Sequence, residues 1–220
     1  MLPVLNKIKA DPDLKLHLIV TGMHLSPEFG LTYKDIESHG FHIDEKIEMN
    51  LSSHSPEGIA KAIGLGIIGF AQIFSRFKPD ILIILGDRFE MFSAASAALP
   101  FKIPLAHIHG GEVTYGAIDD SLRHSITKLS HIHFATTLEY SNRICNMGED
   151  PLKVFISGAP SLENIENISI MDTDEIEKKY NIKMTPKPLL VTFHPVTLEY
   201  EQTELPSVHQ HLSQRLQKPI

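Results

Sequence analysis

"ILIILGDRFEMFSAASAALPFKIPLAHIH" (residues 81–109) decides the fold. Residues 81–85 form an unbroken apolar run that ends at Gly86-Asp87. A strand covered on both faces of a parallel sheet reads this way. Residues 88–101 carry the pattern of a helix, and residues 103–109 are again strand-like. Strand, helix and strand in immediate succession make one βαβ unit.

The same alternation extends in both directions. Upstream, residues 2–10 have helical spacing and stop at Asp11-Pro12-Asp13. Residues 14–22 read as a strand, 32–40 as a short helix closed by Gly40, and 41–49 as a strand. Residues 53–80 read as a long buried helix, with Ser55 as N-cap, Pro56 at its first position and Pro79 ending it. Downstream, 119–131 is a helix, 132–136 a strand, 138–150 a helix and 153–158 a strand. The prediction is α/β: a Rossmann-like, doubly wound parallel sheet over residues 1–160.

Residues 161–187 are polar, contain prolines and read as a linker with one short helix. Residues 188–220 open with a new apolar strand and read as the start of a second, nucleotide-binding domain. The chain opens on a helix where such a sheet opens on a strand, and the second domain has too few residues for its own core. Both ends are therefore expected to be cut, with the first strand missing.

The bulk numbers narrow the function. The 220 residues are 42% hydrophobic and 21% charged, with a net charge of −7. No broad basic surface suits nucleic acid, so a phosphate-bearing ligand must be held by a few local groups. A single cysteine, Cys145, excludes an intrachain disulfide and suits a reducing compartment. It is expected to be a buried small hydrophobe. The first residues do not read as a secretory signal. The most apolar stretch, residues 59–74, is short of the roughly 20 residues a bilayer span needs. A cytoplasmic protein without membrane contact is expected.

Ligands of open parallel sheets bind beyond the carboxyl ends of the strands. Four polar clusters fall at such ends: Thr21–His24, Gly86–Glu90, His107–Glu112 and Phe193–Pro195. Asp87 can hold a sugar hydroxyl, or cap the next helix with Arg88 as its partner. His107 and His109 share one side of a strand, and with Glu112 they admit a metal reading, although the spacing matches no known zinc motif. The same residues admit acid–base work on a sugar carbon, with Gly110-Gly111 allowing a ligand near the backbone. They also admit a plain strand and turn. Asp119 or Asp120 is expected to cap the helix that follows. Asp120, His124 and Lys128 recur on one helix face, with Arg123 beside them. That face is either an ion-pair ladder or a cationic surface for a diphosphate. His194, pinned by Pro195 after an apolar strand, is a catalytic candidate at a cleft between two domains.

Taken together, "VTGMHLSPEFG", "GDRFE", "HIHGGE", "IDDSLRHSITKLSHIHF" and "VTFHPVTLE" resemble the hydrolysing UDP-N-acetylglucosamine 2-epimerases of sialic acid biosynthesis. The branch acting on UDP-N,N'-diacetylbacillosamine in legionaminic acid synthesis is equally close. The resemblance implies two glycosyltransferase-B-like Rossmann domains with the active site between them, and homo-oligomers of the full-length protein. It implies a UDP-sugar substrate and no metal or nicotinamide cofactor. UDP leaves C1 as the C2 proton is lost; water then adds, giving UDP and the C2-epimeric free sugar. By position, Asp87, the Asp119-Asp120 pair, Arg123-His124 and His194 match motif residues of the family; Asp87, Asp119, Asp120 and His194 are taken as catalytic candidates, and His24, Arg88, Arg123 and His124 as substrate-binding candidates. In the animal and non-hydrolysing relatives a glutamate stands where this chain has His109, so either His109 or Glu112 transfers the proton. Two other readings are a non-catalytic truncated remnant and a histidine-rich metal hydrolase.

Overall fold

The computed structural model describes residues 1–51, 55–167, 169–185 and 188. Chain order is α1 (Leu2–Ala10), β1 (Ile19–Thr21), α2 (Tyr33–Ser38), β2 (Glu45–Ile47), α3 (Pro56–Phe77), β3 (Leu82–Leu85) and α4 (Phe89–Ala98). Then come β4 (Leu105–Ile108), α5 (Ile118–Leu129), β5 (Ile132–Ala135), α6 (Leu138–Asn146), β6 (Val154–Ile156), α7 (Pro160–Asn167) and α8 (Thr173–Tyr180). Every strand pairing among the described residues is parallel. All the strands of a sheet therefore point their carboxyl ends at one edge.

The strands fall into two sheets, β1–β2 and β3–β4–β5–β6. The sequence pattern predicts one continuous sheet. Among the described residues no pairing joins β1 or β2 to the β3–β6 sheet. β1 and β2 are also much shorter than the apolar patterns at residues 14–22 and 41–49. Among the described residues each pairs only with the other, so the ladder stops where that pairing does.

The core gathers Ile47, Met49, Phe70, Ile73, Phe74, Ile84, Ala95, Ala98, Leu105 and Ile126. Helices α3, α4 and α5 pack side by side in that order. The α3–α4 approach is close because Gly66 faces Ser93: a Cβ on Gly66 would meet Ser93 Cβ at 2.8 Å. Ser93 Oγ donates to Ile63 O across the pair (3.1 Å). Helix α3 begins as its sequence dictates, with Ser55 accepting from Gly58 N and Pro56 at the first position. It runs 22 residues, longer than its apolar stretch, and passes length and composition criteria for a membrane span. One face packs into the core, but Leu65 and Ile68 are 44% and 58% exposed, so the expectation of a buried helix holds for one face only.

Two helices, α7 and α8, occupy the stretch where one was expected, and α7 packs against α1. Helix α8 starts with a capping box formed by Asp172 and Glu175. Cys145 is only half-buried; Ile144 beside it takes the core position. His194 and the strand expected at 189–193 lie outside the described residues.

Candidate active site

The carboxyl ends of β3, β4 and β5 bring together three turns. The turn after β3 carries Gly86 and Asp87. Asp87 does not cap α4, whose N-cap is Arg88 without a side-chain bond. Instead its Oδ2 accepts from Arg123 Nη2 on α5. Burial pushes the Asp87 carboxyl above its ordinary value; Arg123 pulls it down, and the nearby charge of Asp119 adds to the rise.

Arg123 is 6% exposed and also donates to Thr114 Oγ1 (3.0 Å). Its Nε and Nη1 are buried without a hydrogen-bond partner among the described residues. A guanidinium has five N–H groups, and leaving such donors dry is costly. This arginine is equipped to take a further acceptor, and an anion would suit its charge.

Neither Asp119 nor Asp120 caps α5. The N-cap is Ala117, and both aspartates lie in the first turn, where the helix dipole favours negative charge. Asp120 Oδ1 instead accepts from Thr114 N (2.8 Å) and pins the loop before the helix. His124 Nε2 lies 3.7 Å from Asp120 Oδ2, whereas Lys128 turns to Glu149, so the expected ladder has one rung.

The turn after β4 holds the two candidates for proton transfer, and the structure couples them. His109 Nδ1 donates to Glu112 Oε1 (2.6 Å), and Thr136 Oγ1, just past β5, donates to the same oxygen (2.9 Å). With Nδ1–H engaged by a carboxylate, Nε2 carries the available lone pair. His109 and Glu112 are 22% and 24% exposed at the side chain, so the pair is reachable from solvent. His109 also has φ +67°, in the left-handed region that favours glycine. Gly111 follows at φ +75°, and a Cβ there would meet Tyr140 O at 2.5 Å. Arg143 Nη1 locks this turn by donating to Gly111 O (2.6 Å).

His107 and His109 do not share a face. His109 lies past the end of β4, while His107 is fully buried within it. His107 Nε2 donates to Gly86 O (2.7 Å), tying the β3 turn to β4. Burial pushes its pKa down to about 4, so it is neutral at pH 7. Its buried, committed nitrogen leaves the metal reading without its first ligand, and the described residues contain no cluster fit for a metal ion.

Two predicted contacts are engaged elsewhere. Arg88 makes two hydrogen bonds to Glu90 (3.1 and 3.2 Å), and His24 pairs with Thr32 (2.7 Å) on the surface. The buried Glu90 escaped the sequence reading as a site residue. It packs over Gly22, where an added Cβ would strike the Glu90 carboxylate, and so joins the β1 turn to the β3 turn. Thr114 and Thr136 were missed too, although Thr136 stands at a strand's carboxyl end, where the rule for parallel sheets directs attention.

A parallel α/β layer thus carries, at the carboxyl ends of its strands, a hydrogen-bonded His–Glu pair and a buried arginine with unused N–H groups. The chain belongs to the UDP-N-acetylglucosamine 2-epimerase family, whose profile matches residues 6–219. It is 43% identical over 199 residues to the GDP/UDP-N,N'-diacetylbacillosamine 2-epimerase (hydrolyzing) of Campylobacter jejuni, covering 90% of this chain and 52% of that protein. It is 37% identical to the UDP-N,N'-diacetylbacillosamine 2-epimerase (hydrolyzing) of Legionella pneumophila, covering 93% and 54%. The chain thus spans about half the length of these relatives. In fold it resembles the UDP-GlcNAc 2-epimerase of Neisseria meningitidis, solved bound to UDP-GlcNAc. The TM-score is 0.68 at 22% identity, over 81% of this chain and 49% of that one.

Proposed function

We propose that this chain carries the catalytic half of a hydrolysing UDP-sugar 2-epimerase acting on a UDP-N-acetylhexosamine or its 2,4-diacetamido-trideoxy analogue. The observation that carries the reading is the His109–Glu112–Thr136 arrangement at the strand ends, with Arg123 buried on the helix that follows β4. His109 Nε2 takes the C2 proton while Glu112, anchored through Oε1, holds the imidazole in its Nδ1–H form. The electron pair of the C2–H bond becomes the C1=C2 double bond, and the C1–O bond to the diphosphate breaks. Arg123, through its unused N–H groups, offsets the charge gathering on the leaving UDP. Water then adds across the double bond, oxygen to C1 and a proton to the opposite face of C2. Asp87, which holds a proton more tightly than an ordinary aspartate, serves as a second acid–base group, with Asp119 and Asp120 lining the same rim.

On this reading residues 1–160 form the catalytic Rossmann-like domain, 161–187 connect it, and 188–220, which include the candidate His194, begin a second domain. The single cysteine suits a cytoplasmic setting. The test is product analysis with the two candidate UDP-sugars. Release of UDP together with a free C2-epimeric sugar supports the proposal. An epimer still attached to UDP, or no release of UDP, contradicts it.

A further inference from the structure

Glu139 and Arg143 stand four apart on α6, the spacing of an ordinary surface ion pair. They do bond, Arg143 Nη2 to Glu139 Oε1 (3.0 Å), but the glutamate is 75% exposed, and such a pair contributes little. The shorter bond runs the other way. Arg143 Nη1 donates to Gly111 O (2.6 Å), 32 residues back in the chain and between the two members of the His109–Glu112 pair.

The turn that carries this pair is tightly wedged. Its backbone is left-handed at His109 (φ +67°) and again at Gly111 (φ +75°). A Cβ on Gly110 would lie 3.0 Å from His107 Nδ1 on β4 and 3.3 Å from Thr127 Oγ1 on α5. A Cβ on Gly111 would meet Tyr140 O at 2.5 Å and Ile144 Cγ1 at 2.8 Å, both on α6. His109 N donates to Phe134 O (3.1 Å) and ties the start of the turn to β5. Past that point two glycines free the backbone. The Gly111–Glu112 peptide could turn over, and the Glu112 carboxylate would then swing away from His109 Nδ1. A charge-assisted bond from Arg143 holds the Gly111 oxygen towards α6, so the peptide stays one way up. Arg143 is itself steadied by Glu139 and by the Tyr140 ring, whose centroid lies 5.4 Å from its guanidinium carbon.

We propose that Arg143 is a positioning residue for the proton transfer: by holding the Gly111 carbonyl it fixes the Gly111–Glu112 peptide, and with it the contact between Glu112 and His109. The proposal rests on the reading of that pair as the acid–base group. Arg143 touches neither member directly and acts through the turn between them.

Steady-state turnover of the UDP-sugar and the ring 15N shifts of His109, both measured on the full chain, test this. Arg143→Met and Arg143→Gln should keep the wild-type circular dichroism spectrum and lower kcat by about 10–100-fold, with KM changed by about twofold or less. Arg143→Lys, which keeps a charged donor on a shorter stem, should recover about tenfold over Arg143→Met. Glu139→Gln should stay close to wild type, because the exposed ion pair is not the positioning bond. In a Glu112→Gln background, Arg143→Met should cost little more, since no pair is left to position. The 15N shifts should report Nδ1–H on His109 in the wild type and a mixture of tautomers in Arg143→Met. Wild-type kcat in Arg143→Met and Arg143→Gln, losses that simply multiply in the double variant, or an unchanged tautomer each overturn the inference. Full activity in Glu112→Gln overturns instead the catalytic reading beneath it, whereas an impaired Glu112→Gln beside an unimpaired Arg143→Met overturns this inference alone.

Discussion

His107 should make the fold acid-sensitive, and by an amount the structure sets. The imidazole is fully buried in β4 and hydrogen-bonds Gly86 O as a neutral group. Its pKa falls from 6.5 to about 4 on folding. Each tenfold change in proton affinity is worth about 1.4 kcal/mol, so this group is linked to about 3 kcal/mol of stability. The sign follows from which state binds the proton. Above pH 6.5 both states are neutral here and the full contribution is present. As the pH falls from 6.5 towards 4, only the unfolded chain takes the proton, and the contribution drains away. Urea unfolding at several pH values across this window, for wild type and His107→Gln, isolates the effect. Glutamine does not titrate and can still donate to Gly86 O. The variant should be less stable at pH 7, and the gap should close by about 3 kcal/mol by pH 4. His133, also depressed by burial, faces His107 across the β4–β5 register and stays in both proteins, so it largely cancels. Parallel stability profiles, or an imidazole resonance of His107 titrating near 6.5, would show that His107 is not held neutral by burial.

Other expectations concern the site. Glu112→Gln should leave the fold intact and lower turnover by roughly 10²–10⁴-fold, since an amide no longer enforces the Nδ1–H form of His109; steady-state kinetics show it. Thr136→Val should cost about tenfold or less in kcat with KM little changed, because His109 still holds Glu112 Oε1, while Thr136→Ser should be close to wild type. Gly111→Ala should destabilise by about 2–5 kcal/mol in thermal unfolding, since a left-handed backbone and a backbone oxygen at 2.5 Å both oppose the methyl group.

Much of this was legible in the sequence because it depends on local pattern. The apolar run at 81–85 ended in a tight turn, as a buried parallel strand must, and Ser55-Pro56 marked the start of α3. That polar clusters at strand ends share one rim also follows from parallel topology alone. Long-range partners were less legible. Nothing in "DDSLRH" tells that Arg123 reaches back to Asp87, or that Asp120 serves Thr114 N and not the helix start. The choice between His109 and Glu112 could not be made from spacing, because the two are hydrogen-bonded to each other and to Thr136 from the next strand. The period-two patterns at 14–22 and 41–49 over-extended the strands because pattern reports burial, whereas strand length depends on a neighbour to pair with.

The proposed reaction removes the C2 proton and exchanges it with solvent through the His109–Glu112 pair. Turnover of the UDP-sugar in deuterium oxide, followed by NMR of the released sugar, measures it directly. One deuterium at C2 of every product molecule is expected, with loss of both UDP release and label in Glu112→Gln. A free sugar carrying protium at C2 would contradict it.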